Sequence, residues 1–254
     1  MSGHSKWSTI KRKKGKADAQ RGQLFTKLIR VITVAARSGG GDPETNAKLK
    51  TAIQLAKESN MPNENIERAI KKGTGELEGV AYEELSYEGY GPGGVAVLVD
   101  ALTDNRNRTV PEIRKIFSKN GGNLGESGCV AWMFDKRGYL VFEKSKVDED
   151  LIFDLALEAE AEDVKSDDDN IEVITLPENH EKFETLIKQN NIEFLISEIT
   201  LIPKTTVELE GKKAMQMINL MEQLEDHDDI QKVYANFNIS DKIMEEISSN
   251  KDKA

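Results

Sequence analysis

The 254-residue chain has one cysteine, three histidines and two tryptophans, and aromatic residues make up only 6% of it. A single cysteine, Cys129, excludes an intrachain disulfide framework and fits a reducing compartment, so a cytoplasmic location is expected. The longest apolar run, Val95 to Val99, falls far short of the roughly 20 residues that span a bilayer, and no membrane partner is expected. The N-terminus lacks the apolar stretch of a secretory signal, which leaves an acid-poor organellar transit peptide as the alternative.

Residues able to carry chemistry are equally sparse. His4, His180 and His227 are scattered, and only Asp228 and Asp229 stand near one of them, so no metal site is expected. Asp167, Asp168 and Asp169 lack the 12-residue ligand spacing and closing glutamate of a calcium loop and read as a solvated hairpin tip. Ser127, in Gly-Glu-Ser-Gly-Cys, misses the last glycine of G-x-S-x-G, and Cys129 has no histidine nearby in sequence to activate it. Gly89, Gly91 and Gly94 satisfy G-x-G-x-x-G in letters, but a strand follows them where a dinucleotide site requires a helix; a hairpin turn built on Pro92 is the better reading. Asn120 to Gly128 reads as a flexible connector, with a glycine-rich binding loop that a polyanion could approach as the alternative. No catalytic residue and no cofactor is expected.

What the chain does have is charge, unevenly spread. Its net charge is -10, yet residues 1–75 hold 16 Lys and Arg against 6 Asp and Glu, while the remainder is strongly acidic. That asymmetry points to nucleic acid gripped by the basic part. Residues 4–16 carry six cations and no acid, too few apolar groups to fold alone, and Trp7 among the lysines. They read as an arm. The candidate nucleic-acid contacts are Lys6, Trp7, Lys11, Arg12, Lys13, Lys14 and Lys16 on that arm, with Arg21, Lys27 and Arg30 on the first helix. Trp7 could stack on a base, or anchor the arm to the helices behind it. Arg106 and Arg108 flank the start of a later helix, where free N–H groups and the helix dipole favour an anion; they form a second candidate contact, with pairing to local acids as the alternative.

Periodicity supplies the architecture. Leu24, Leu28, Ile32 and Ala35 recur at helical spacing between Asp18 and Arg37. A second helix is expected to open on Asp42-Pro43, and a third to stop at Gly73. Strands are expected at 82–90 and 95–102, then a helix opened by the capping box Thr109 to Glu112, then strands at 130–134 and 139–142. From Tyr139 onward the order is strand, helix, strand, strand, helix, strand, the ferredoxin-like order. A last helix at 212–225 and strand at 231–237 have no sheet of their own and are expected to return to the earlier one. The class is therefore α+β and multidomain: a basic helical domain at 1–79, a middle domain at 80–135 plus 206–240, a ferredoxin-like insertion at 136–205, and a polar tail at 241–254.

Several stretches also carry a family likeness. Gly3-His-Ser-Lys-Trp7, the 11–16 run, Phe25-Thr-Lys-Leu-Ile-Arg30 and Asn65 to Gly75 closely resemble the YebC/PmpR family, as do Tyr87 to Gly94, Leu102 to Thr109, Asn120 to Trp132 and Ile202 to Val207. Asn46-Ala-Lys-Leu-Lys50 departs from the family's more usual Asn-Pro-Arg-Leu-Arg, losing a proline and two bidentate arginines. The resemblance implies three domains and no enzymatic activity. It implies a DNA-binding transcriptional regulator or, as in the family's other branch, a translation factor that contacts ribosomal RNA or tRNA. The acidic domains would then meet protein partners.

Overall fold

The computed structural model describes residues 18–240 and Ile243; the expected arm and nearly all of the expected tail lie outside the described residues. Along the chain stand α1 (Asp18–Gly39), α2 (Ala47–Glu58), α3 (Asn63–Thr74), β1 (Glu83–Tyr90), β2 (Ala96–Thr103), α4 (Arg106–Lys119), β3 (Asn123–Leu124) and β4 (Phe134–Glu143). Then come α5 (Glu149–Glu158), β5 (Asp163–Ser166), β6 (Asn170–Thr175), α6 (Pro177–Gln189), β7 (Ile196–Pro203), β8 (Val207–Glu208), α7 (Gly211–Glu225), β9 (Ile230–Ala235) and β10 (Phe237–Asn238). The described chain divides into two units, 18–129 with 211–233 and 130–210 with the residues from 234 onward.

In the first unit, α1 to α3 bury Leu28, Ile32, Leu49, Ala52, Ala56, Ile66 and Ala69 against one another. Each large side chain in that set contributes roughly 1.5–3 kcal/mol by leaving water. Two helix boundaries differ from the sequence expectation. Asp42 holds a turn, its side chain accepting from the Glu44 N–H at 3.0 Å, and α2 opens later on Asn46. Asn46 is the better cap because it is buried and fully used: Oδ1 accepts from the Leu49 N–H, and Nδ2 donates to the Ala35 and Gly40 carbonyls. Gly73 does not stop α3. It lies inside the helix, where a side chain would place Cβ 2.5 Å from the Thr33 carbonyl oxygen of α1, and the left-handed stop is Gly75 at φ 85°. Gly73 is thus a point where two helix backbones approach too closely for a side chain.

The same unit holds a four-stranded sheet in the order β3-β1-β2-β9. β1 and β2 form an antiparallel hairpin in which Tyr90 pairs with Ala96, and the glycine-rich segment between them is a short turn with Gly93 at φ 79°. α4 packs Thr109, Ile113 and Phe117 inward, but it opens at Asn105, whose side chain accepts from the Arg108 N–H at 3.1 Å. The Thr109 capping box therefore does not form. Its hydroxyl turns inward, to Thr103 and Asp229.

The second unit carries a sheet in the order β5-β6-β4-β7, with α5 and α6 on one face over Leu140, Phe142, Ile171 and Val173. Counted along the chain, that is 2-3-1-4, the ferredoxin-like arrangement. The strands expected at 130–134 and 139–142 are not separate. A 3-10 turn occupies Ala131–Met133, and β4 runs unbroken through Gly138, which pairs with Thr175 on one side and Ile199 on the other. β8 and β10 add a short parallel pair. The molecule is α+β and multidomain.

Candidate nucleic-acid interface

Of the expected contacts, Lys6, Trp7, Lys11, Arg12, Lys13, Lys14 and Lys16 lie outside the described residues. The rest divide sharply by environment. On α1, Arg21 is exposed, its guanidinium 5.4 Å from the Phe25 ring centroid. Lys27 and Arg30, nearly two and about two and a half turns farther on, point into the protein. Lys27 Nζ donates to the Glu225 carbonyl at 2.5 Å, and Gln23 reaches the Asp226 carbonyl at 3.4 Å. These acceptors end α7, where unpaired carbonyls and the negative end of the helix dipole attract a cation. Arg30 donates to the Asp228 carbonyl, the Leu102 carbonyl and Asp229 Oδ1, at 2.7, 3.2 and 2.6 Å.

Asp229 joins the two candidate groups. It is 2% exposed, and Arg108 Nη2 meets its Oδ2 at 2.8 Å while the Thr103 and Thr109 hydroxyls donate to the same oxygen. Burial alone would push the Asp229 carboxyl up. The hydrogen bonds from Arg108, Thr109 and Arg30 outweigh it and hold the group well below the usual carboxylate range. The hydrogen bond to Asp229, followed by its charge, also raises the Arg108 pKa. Asp104 adds a further bond to Arg108 at 3.0 Å. Sequence reasoning named Arg30 and Arg108 but missed Asp229, since nothing in its spacing marks a loop aspartate almost 200 residues from Arg30 as their shared partner.

Arg106 is exposed at the first turn of α4. Beyond it the helix shows what the sequence reading did not single out: Arg114, Lys115 and Lys119 are also exposed. α4 holds five cations and one acid in 14 residues. Among the described residues, Arg106, Arg114, Lys115 and Lys119 have no ion-pair partner. Arg108, Glu112, Lys115 and Lys119 follow the four-three-four spacing of one helix face, a row about 17 Å long at 1.5 Å per residue. That row is one wall of a cleft of about 680 Å³, with Gln23, Gln223, Asp226 and Asp228 on other sides. The spacing was the available signal.

Glu112, His227 and Asp229 also gather three metal-capable groups. The His227 Nδ1 accepts from the Asp229 N–H at 3.1 Å, which leaves Nε2 to donate to Glu112 Oε2 at 3.0 Å. With both ring nitrogens engaged and two arginines already on Asp229, the trio is part of an ion-pair network and offers a cation no free ligand set. In the second unit, Ser197 Oγ lies 3.2 Å from His180 Nε2 and donates to Glu184 Oε2 at 3.1 Å. A nucleophilic triad needs the acid on the other ring nitrogen, and His180 Nδ1 is buried with no partner among the described residues. Burial lowers the His180 pKa, against the charges of Glu184 and Glu198. No described helix is long and apolar enough to cross a membrane.

Comparison with known proteins places the chain. Residues 5–76 match the model of the TACO1/YebC protein N-terminal domain, and residues 82–237 match that of the TACO1/YebC second and third domain. A "Probable transcriptional regulatory protein" of Syntrophobacter fumaroxidans is 60% identical over 98% of this chain and 100% of its own length. One of the same name from Desulfosudis oleivorans is 59% identical over 96% of this chain and 100% of its own. The crystal structure of a conserved hypothetical protein from Aquifex aeolicus matches with a TM-score of 0.78 and 49% identity, covering 90% of this chain and 95% of that one. With both family models and full-length relatives at this identity, the chain belongs to the TACO1/YebC family.

Proposed function

We propose that the protein is a non-enzymatic nucleic-acid-binding regulator that holds a phosphate backbone through the basic segment 6–16, Arg21 and the outward cations of α4, with duplex DNA as its target. The observation that carries the reading is α4. Solvated charge runs ordinarily mix signs, and this helix exposes Arg106, Arg114, Lys115 and Lys119 without an ion-pair partner among the described residues. Its first turn adds free N–H groups near Arg106. The regulatory names of the relatives support the transcriptional side of the proposal. Lys27 and Arg30 hold the chain's own carbonyls and Asp229; their role in this reading is to fix α1, and they do not touch phosphate.

One observation favours a second reading, contact with ribosomal RNA or tRNA. Unpaired cations among the described residues are not confined to α4: Arg21 on α1, Lys48 and Lys57 on α2, and Arg68 and Lys71 on α3 are also exposed, a spread that suits a folded RNA surface as well as one groove of a duplex. Crosslinking in cells followed by sequencing of the attached DNA and RNA separates the two. Enrichment at promoters supports the first reading, and recovery of ribosomal RNA or tRNA the second. If binding to a promoter recovered in this way never exceeds binding to random duplex at about 0.15 M salt, a regulator that reads its own site is ruled out, because specific sites win by roughly 10³ or more.

A further inference from the structure

The second unit carries an exposed apolar surface that the nucleic-acid reading does not use. α5 packs Ile152, Leu155 and Ala156 inward, which is sufficient for a helix on one face of a sheet. It also leaves Leu151 37%, Phe153 42% and Leu157 80% exposed. Single exposed apolar residues need no explanation, and Leu151, on the other flank of the helix, is one of these; Phe153 and Leu157 adjoin and form a small patch. At 100° per residue, Phe153 and Leu157 lie one turn apart on the outer side, and Asp150, Asp154 and Glu158 form a parallel stripe beside them. These three carboxylates have no ion-pair partner among the described residues, and the helix holds four acids and no cation. An apolar ridge about 6 Å long therefore runs beside an anionic stripe of about 12 Å, at the usual rise per residue.

We propose that α5 is a docking ridge for a basic amphipathic helix of another protein, whose apolar anchors cover Phe153 and Leu157 and whose lysines or arginines lie along Asp150, Asp154 and Glu158. Charge selects this occupant. A second copy of the chain packed across the same ridge would bring like stripes of unpaired carboxylates together, and an anionic polymer or membrane would meet the same repulsion. A cationic helix with apolar residues one turn apart satisfies both stripes at once, as in other helix-on-surface recognition. The proposal is independent of the nucleic-acid reading, since none of its residues is a cation.

The test uses the full chain and a fluorescent 15-residue helical peptide with leucines one turn apart and lysines along the adjacent stripe, titrated by anisotropy at about 0.15 M salt, near physiological screening. Leu157→Gln should weaken binding about tenfold or more, because an exposed leucine that becomes buried supplies that much affinity, and the far-UV spectrum should stay unchanged. The pair Asp154→Asn, Glu158→Gln should weaken binding several-fold at low salt, and the difference should close at about 1 M salt. A version of the peptide with glutamates in place of lysines should not bind. Equal affinity for the Leu157→Gln chain, or equal binding of the glutamate peptide, overturns the proposal. So does self-association of the full chain in sedimentation that Leu157→Gln abolishes, which would make a second copy the occupant.

Discussion

α1 and α4 both carry arginines at helical spacing, the sequence marks both as candidate phosphate contacts, and they put those arginines to opposite uses. On α1, Lys27 and Arg30 face the end of α7 and the buried Asp229. On α4, only Arg108 is shared with Asp229, and Arg106, Arg114, Lys115 and Lys119 are exposed with no ion-pair partner among the described residues. The residue types are alike; the nearest carbonyl or carboxylate decides whether a cation holds the fold or remains available to a ligand.

Removing the acid that separates these roles should have the largest effect. Asp229→Ala strands Arg30, which is 12% exposed, and should cost about 3–5 kcal/mol, read as a drop in the urea midpoint of the full chain. Next is Gly73→Ala. The methyl group would meet the Thr33 carbonyl at 2.5 Å, and forcing α1 from α3 should cost about 1–3 kcal/mol in the same unfolding measurement. The comparison sharpens further in salt titrations. Changing Arg106, Arg114, Lys115 and Lys119 together to Gln should leave the urea midpoint nearly unchanged and reduce the log-log salt slope of duplex binding by about 0.9 for each cation that meets a phosphate. Arg30→Gln should do the reverse, lowering stability with little change in slope; a slope that moves with Arg30 and not with α4 would break the distinction.

The smallest effect is in pH. The folded pKa of Asp229 lies below its unfolded value, so the stability it contributes is complete above the unfolded pKa of about 4 and is lost as pH falls toward the folded one. Urea midpoints measured between about pH 5 and pH 2 should therefore fall less steeply for Asp229→Asn than for the unaltered chain, on the same linkage. An equal slope would show that Asp229 is not the acid-sensitive member of the network.

Much of this architecture was legible in the sequence, because periodicity reports which residues face inward. The 3.6-residue spacing in α1, the alternation in β1 and the apolar run of β2 gave their positions to within about two residues, and the order of elements after Tyr139 gave the ferredoxin-like arrangement. Errors fell where two signals for one boundary competed. Asp42-Pro43 and Asn46 both have helix-opening chemistry, and only burial against Ala35 and Gly40 selects Asn46. Gly73 and Gly75 both read as stops; the approach of α1, a tertiary contact, makes Gly73 an interior residue. At the candidate site the sequence identified cations and could not identify their partners. Asp229 is one of three acidic residues in Asp226-His-Asp-Asp229, and which of them turns inward is fixed by β9 lying beside β2.

That position of β9 also bears on the order in which the molecule can be completed during synthesis. Arg30 and Asp229 are 199 residues apart. At roughly 5–20 residues per second, α1 leaves the ribosome about 10–40 s before the carboxylate that neutralises it exists. Over that interval the nascent first unit lacks both its last strand and its central anion, and Arg30 is a cation awaiting its counter-charge, while Arg108 has only Asp104. The N-terminal helices can close their own core early, but the sheet of the same unit can be finished only after residues 130–210 of the second unit have been made.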